Sequence, residues 1–263
     1  MARPIVKWSG GKSDELYILK QFIPTKFNVY IEPFFGGGSM FFYLKSLKQT
    51  KAIISDIHSD LINFYLELQQ GHGNLIYDFM TKYPNTSEIY YRVRDGLSCQ
   101  TPIERACQFY YLRKTCYRGM MRYNKHGKFN IPFGRYPSIS FNELLNPEMT
   151  RVFNDTLILN QDFRSVFTKY SSPENFMFLD PPYDSTFKNY NQDFTQEDHI
   201  RLANWFKTCK SKCMLIIGET NFISGLYKDY IKSKYMKKYA FKLYGNRINS
   251  SNIDNYHLII TNY

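Results

Sequence analysis

Val29-Tyr30-Ile31 runs into Glu32-Pro33-Phe34-Phe35-Gly36-Gly37-Gly38-Ser39, and an apolar stretch from Met40 to about Leu47 follows. A short strand, a glycine turn and a helix in that order suit a cofactor that approaches the backbone closely. Glycine reaches left-handed conformations freely and puts no side chain in the way. On its own the glycine triplet fits a plain tight turn equally well. Ala52-Ile53-Ile54 then reads as a second strand, ending in Ser55-Asp56 before a helix that begins near Ser59-Asp60. An acidic residue about twenty positions after a glycine turn, at the end of the next strand, is placed to accept hydrogen bonds from a bound nucleoside. Asp is also a common helix-start residue, so the combination says more than either part.

A second apolar run, Phe176-Met177-Phe178-Leu179, enters Asp180-Pro181-Pro182-Tyr183. This reads as a buried strand ending at its carboxyl edge, where open α/β sheets bind their ligands. Proline fixes φ and pushes the residue before it toward extended geometry, so Asp180 and the carbonyls after it form a nearly rigid array. Such an array accepts both protons of an exocyclic amine and draws its lone pair toward an electrophile, while Tyr183 stacks on the ring. An isolated Asp-Pro-Pro would be only a turn.

Thr156 to Leu159, Cys213 to Ile217 and His257 to Thr261 supply further strands, and a helix spans roughly Gln196 to Thr208. Alternating strands and helices predict an α/β fold with a mostly parallel sheet and helices on both faces. From about Asn63 to Phe153 the pattern changes to longer helical stretches such as Ile103 to Cys116, then to a polar, turn-rich section from Tyr117 to Tyr136. We read this as an insertion into the α/β domain. Near the amino terminus, Gly11-Lys12-Ser13 imitates the end of a nucleotide-triphosphate loop, but the glycine required five residues earlier is Val6. The segment is instead a glycine turn opening a helix marked by Leu16, Leu19, Phe22 and Ile23.

Thirty-four Lys and Arg against 23 Asp and Glu give a net charge of +11, which makes a polyanion the natural partner. The 22 Phe and 23 Tyr interleaved with them tip this toward nucleic acid, because aromatic faces stack on bases while cations meet phosphates. The densest mixture lies in the turn-rich section. There Arg113, Lys114, Arg118, Arg122, Lys125, His126, Lys128 and Arg135 alternate with Tyr117, Tyr123, Phe129, Phe133 and Tyr136. The alternative is a solvated basic hairpin. Five scattered cysteines fit free thiols in a reducing compartment, and neither a second cysteine pair nor a nearby His completes a metal site at Cys209 and Cys213. With no signal segment and no bilayer-length apolar run, a soluble, intracellular protein is expected.

The ordered set Lys7-Trp8-Ser9-Gly10-Gly11-Lys12, Glu32 to Ser39, Ser55-Asp56-Ile57, Phe129-Asn130-Ile131-Pro132-Phe133-Gly134-Arg135-Tyr136 and Asp180-Pro181-Pro182-Tyr183 resembles the Dam family of DNA adenine-N6 methyltransferases. The resemblance covers nearly the whole chain. It implies a Rossmann-like, S-adenosylmethionine-dependent methyltransferase sheet with an inserted, mainly helical target-recognition domain containing a β-hairpin. Residues 1–60 and 154–263 would form the catalytic domain and 61–153 the insertion. Double-stranded DNA is the implied partner, and a restriction endonuclease of the same site is compatible with it.

By the same resemblance, Trp8, Lys12, Asp56 and Asp180 contact the cofactor, with Phe35 and Gly36 beside it and Asp162-Phe163 near its adenine. The target adenine would be flipped out of the duplex onto Tyr183, its amino group held by Asp180 and the Pro181 carbonyl, with Pro182 completing the catalytic tetrapeptide. Transfer would be direct and in line, needing no covalent intermediate, histidine base or metal. The Asp that opens the tetrapeptide, where Ser is the alternative, leans toward adenine over cytosine. Arg122 matches a guanine-reading arginine of GATC-specific relatives, Met120 a thymine contact and Pro132 the surface beside them. Lys7 and Tyr136 fall near the first guanine, and Tyr117 matches an aromatic that enters the space left by the base. Arg135 is expected on a phosphate. Arg118 stands where a bacterial relative has a neutral amide, and Asn249-Ser250-Ser251-Asn252 is leaner in glycine and basic residues than usual. Alternatives are methyl transfer to another DNA site, to cytosine or to RNA adenine, and DNA binding without catalysis.

Overall fold

The computed structural model describes residues 3–8, 10–183, 194–237 and 255–263. Seven strands form one sheet in the order β3-β2-β1-β4-β5-β7-β6, with β1 Val29–Glu32, β2 Lys51–Ser55, β3 Thr156–Leu159, β4 Phe176–Leu179, β5 Lys212–Gly218, β6 Ile231–Lys237 and β7 Asn255–Thr261. The five strands from β3 to β5 pair in parallel, and β7 pairs antiparallel with both β5 and β6. The expected mostly parallel, Rossmann-like α/β sheet is therefore present. Each expected strand appears within two residues of its predicted bounds.

Alternate residues of the central strands feed two cores. Tyr30, Phe176, Phe178, Met214 and Ile216 face one side with Phe41, Phe64, Tyr110 and Phe153. Ile31, Met177, Leu179, Leu215 and Ile217 face the other with Phe167, Leu202 and Phe206. All four residues of β4 are buried, as a strand covered on both faces requires. The first core includes residues of the Ser59–Gln69, Gly73–Lys82 and Pro102–Thr115 helices, so the helical section packs directly onto the sheet, with Phe64 stacked on Tyr110 at 5.1 Å.

Two expectations are corrected. The helix after Lys12 is a succession of short pieces, Ser13–Glu15, Leu16–Leu19 and Lys20–Phe22, and it stops where Ile23 turns extended. Pro24 disfavours helical geometry at that preceding residue. The sheet also gains β6, which the apolar runs do not signal. Lys232, Lys234 and Met236 face solvent on this edge strand, where lysines commonly guard an open edge.

The Tyr117–Tyr136 section is a hairpin-like strap with antiparallel bridges Cys116 to Phe133 and Tyr123 to Phe129. Its turn is built by Asn124, whose side-chain oxygen accepts from the His126 and Lys128 N–H groups. Among the described residues all five cysteines are free, no group of His, Cys, Asp or Glu could hold a metal ion, and no helix is long and apolar enough to cross a membrane. The Asn249 to Asn252 segment and Ser9 lie outside the described residues.

Candidate active site

The direction of strand succession reverses between β1 and β4, which opens a crevice at their carboxyl ends. The glycine turn lines it. Gly36 and Gly38 have φ of +50° and +70°, and a Cβ at either would lie 2.6 Å from the Trp8 ring or 2.5 Å from the Phe35 ring. Asp56, at the end of β2, ties the turn in place. Its carboxylate accepts from the Gly36 N–H and the His58 N–H, both at 2.9 Å. Phe35 itself is 2% exposed and packs on Phe41 and Tyr65, so its ring is a support beneath the turn.

Asp180 follows β4 and is held by Lys12, whose ammonium donates to its two oxygens at 2.7 and 2.8 Å and to the Gly10 carbonyl at 2.6 Å. The same ammonium lies 5.1 Å from the centre of the Tyr183 ring. Burial pushes the Asp180 carboxyl upward, and the Lys12 charge and hydrogen bond oppose that rise. Glu32, at the end of β1, accepts from the Tyr30 hydroxyl at 2.7 Å, and burial together with Asp180 and Asp56 holds it well above the usual carboxylate range. Asp56 is raised by burial as well, against its backbone hydrogen bonds. Three carboxyl groups thus end three adjacent strands, and buried Lys12 is paired with one of them, Asp180. Burial pushes all three toward the neutral form, so they serve mainly as hydrogen-bonding groups for a polar ligand.

The remaining expected cofactor residues flank this edge. Asp162 caps the Phe163–Tyr170 helix and pairs with Arg164 at 2.7 Å, while Phe163 stacks on Phe34 at 5.3 Å. The loop before them is anchored by the Ser55 hydroxyl, which donates to the Gln161 carbonyl at 2.8 Å. Trp8 lies edge-on to His58 and under the Arg113 guanidinium. In the tetrapeptide, Pro181 is buried, Pro182 exposed and Tyr183 half-buried.

The strap carries most of the expected DNA contacts. Arg118, Met120, Arg122, Pro132 and Arg135 are exposed, and Tyr117 and Tyr136 half-buried. Arg122 is braced by Asn130, its Nε donating to the side-chain oxygen at 2.8 Å. Lys7 reaches over the Tyr136 ring at 4.8 Å, and Arg118 over Tyr117 at 5.3 Å. Arg118 and Arg135 both have left-handed backbones, with φ of 53° and 54°. The strap is pinned by the Tyr90 hydroxyl, which donates to the Ile131 carbonyl at 2.7 Å, and by the Gly134 N–H, which donates to the Thr115 carbonyl at 2.8 Å.

Three residues leave the expected nucleic-acid surface. Arg113 is 2% exposed and donates to the Met120 carbonyl at 2.9 Å and to the Lys7 carbonyl. It clamps the strap to the amino-terminal segment. Lys114 pairs with Glu143 at 2.7 Å, and the Tyr123 hydroxyl is bound to His58. Charge and aromatic counts cannot distinguish the inner face of a helix from the outer one. Sequence reading also missed Glu32, His58, Glu15 and His257. Signals were present for three of them, a carboxylate just before the glycine turn, a ring nitrogen at a helix start and a histidine inside an apolar strand, and none for Glu15.

The family profile of D12 class N6 adenine-specific DNA methyltransferases matches residues 8–242. The chain belongs to this family. It is 46% identical over 262 residues to the type II methyltransferase M.CviBI of Paramecium bursaria Chlorella virus NC1A, covering 99% of this chain and all of that one. It is 33% identical to the type II methyltransferase M.MjaIII of Methanocaldococcus jannaschii, covering 99% of each, and 32% identical to a DNA adenine methylase of Haemophilus influenzae over 86% of this chain and 82% of that one. The enzyme is an adenine-specific DNA methyltransferase whose methyl donor is S-adenosylmethionine. The crevice fits that donor chemically, since its strand ends present carboxyl oxygens at Asp56 and Asp180 and its glycine turn keeps Cβ atoms out of the way.

Proposed function

We propose that this methyltransferase modifies the adenine N6 of GATC in duplex DNA, flipping the base out of the helix onto Tyr183. The observation that carries the reading is the Lys12-held Asp180 at the end of β4, three residues before an aromatic ring at the mouth of the same crevice. S-adenosylmethionine, when bound, supplies a methyl group made electrophilic by its sulfonium. Trp8, Lys12, Gly36, Asp56, Asp162, Phe163 and Asp180 would hold it, with Phe35 acting from beneath the turn.

Asp180 and the Pro181 carbonyl accept the two amine protons, which draws the nitrogen lone pair out of conjugation with the ring and toward the methyl group. Pro182 limits the freedom of that segment, and Tyr183 supplies the stacking face. Asp180 then stabilises the positive charge that develops on the amine until its proton is lost. Flipping costs a few kcal/mol, and base–aromatic stacking of about 1–3 kcal/mol with the amine hydrogen bonds offsets it.

On the recognition side, Arg122 braced by Asn130 reads guanine, Met120 meets the thymine methyl and Pro132 lines the surface between them. Lys7 and Tyr136 approach the first guanine, Tyr117 fills the space left by the base, and Arg118 and Arg135 meet phosphates. Residues 1–60 and 154–263 act as the catalytic domain and 61–153 as the target-recognition insertion, a division supported by the direct pairing of β2 with β3 across it. The type II naming of two relatives supports work beside a restriction endonuclease of the same site.

The test is transfer of labelled methyl to duplexes with and without GATC, with the product nucleoside identified by mass spectrometry. Methyladenine confined to GATC is expected. Methyladenine at other sites would overturn the reading of Met120, Arg122 and Pro132, and methylcytosine would overturn that of Asp180.

A further inference from the structure

Behind Tyr183 lies a buried polar cluster that neither the cofactor nor the base contacts account for. Glu15 is 3% exposed and His257 2% exposed. The Glu15 carboxylate accepts from His257 Nδ1 at 2.7 Å, from the Lys237 ammonium at 2.8 Å and from the Tyr235 hydroxyl. These donors come from β6 and β7, and Tyr235 stands opposite His257 in the register of that pair. The imidazole meets the Tyr183 ring edge-on, with centroids 5.1 Å apart and planes at 88°. Across from His257 in the next strand is Gly218, where an added Cβ would touch Tyr183 at 3.4 Å. The ring therefore rests against two cross-strand neighbours, the His257 imidazole and the bare Gly218 backbone.

A buried carboxylate is unfavourable unless donors satisfy it. Burial alone would raise Glu15, and the bonds from His257, Lys237 and Tyr235 reverse this and bring it to about 2. It stays an acceptor at any physiological pH, which places the imidazole proton on Nδ1 and fixes the ring plane. A fixed imidazole in turn restricts the tyrosine.

We propose that Glu15 and His257 are positioning residues for the target base, with the carboxylate locking the imidazole and the imidazole holding Tyr183 as a preset platform. This rests on the reading of Tyr183 as the surface that receives the flipped adenine. A platform set in advance loses little freedom when the base arrives, so its benefit falls on base capture and turnover and leaves cofactor affinity alone.

The experiment uses the full chain and a GATC duplex carrying 2-aminopurine at the target adenine, whose fluorescence lifetimes separate stacked from extrahelical base. For His257→Leu we expect kcat to fall about tenfold and the lifetimes to shift, with S-adenosylmethionine affinity within about twofold of the parent. Glu15→Gln should move both in the same direction by less. If His257→Leu leaves both unchanged while Tyr183→Ala alters them, the positioning role is wrong and the platform stands. If Tyr183→Ala leaves the lifetimes unchanged, the platform reading itself fails and the positioning role with it. Should His257→Leu not melt cooperatively, Glu15→Gln, which keeps the shape of the side chain, decides by the same two readouts.

Discussion

His58 Nε2 and the Tyr123 hydroxyl meet at 2.8 Å, joining the end of β2 to the strap that carries Arg122. His58 Nδ1 accepts from the Leu61 N–H at 3.2 Å and so caps the Ser59–Gln69 helix, while its own N–H donates to Asp56. With Nδ1 accepting, Nε2 carries the proton and donates to Tyr123. One residue thus touches both the carboxylate that pins the glycine turn, through its backbone N–H, and the tip of the strap, through its ring.

Tyr123→Phe removes that single bond. Stability should fall by about 0.5–1.5 kcal/mol, and the KM for DNA should rise more than the affinity for S-adenosylmethionine falls. Thermal melting and separate titrations of the two substrates check this. Equal losses for both would mean that the bond supports the fold and nothing more.

Lys12→Met leaves Asp180 without its cation. Burial then raises the carboxyl further, so the acid limb of the kcat/KM profile should move to higher pH, with activity at pH 6 falling more than at pH 8.5. Lys12→Arg should restore part of the shift. Removing one partner of a buried pair also costs about 3 kcal/mol of stability, which melting will register. A profile displaced downward at all pH values without a shift would deny the electrostatic role.

Glu32 makes folding sensitive to alkali. Its folded pKa lies well above the ordinary value of 4.5, so above that value the unfolded chain releases a proton that the folded protein retains. Stability contributed here is complete below the unfolded pKa and is lost as pH rises toward the folded one, at up to about 1.4 kcal/mol per pH unit. Glu32→Gln should flatten this decline between pH 6 and 9 in denaturant titrations. An unchanged slope would place the decline elsewhere.

If Arg122 reads guanine as proposed, Arg122→Ala should cost about 1–3 kcal/mol at that base pair and relax discrimination there. Arg135→Ala should weaken all sequences alike and lower the salt slope of binding by about one. Affinities for GATC and singly altered duplexes at several salt concentrations test both. A uniform loss for Arg122→Ala, or a selective one for Arg135→Ala, would reverse the two roles.

The strands and the crevice were legible because both depend on local patterns. Phe176 to Leu179 is apolar on every residue and ends at Asp-Pro-Pro, and Val29 to Ile31 runs straight into glycines. β6 was not legible, since an edge strand buries neither face fully and carries lysines. Arg113 was misread for the lack of one fact, the side of its helix that faces Trp8. Glu15 and His257 are 242 residues apart in the chain, and only the tertiary packing of the Ser13–Glu15 turn beside β7 brings them together. Phe35 sits inside a recognisable motif, yet its ring turns inward to support Gly38.

β2 and β3 are hydrogen-bonded neighbours, although the whole stretch from Asp56 to Asp155 lies between them. Drawing together the ends of so long a segment while it is still unstructured carries of order 4 kcal/mol of chain entropy. The helices between them pack on one another, with Phe64 stacked on Tyr110, and their collapse shortens the effective loop before the strands dock. We therefore expect refolding to be paced by that collapse, with core changes such as Phe64→Leu or Tyr110→Phe slowing the appearance of the sheet and of methyl-transfer activity together.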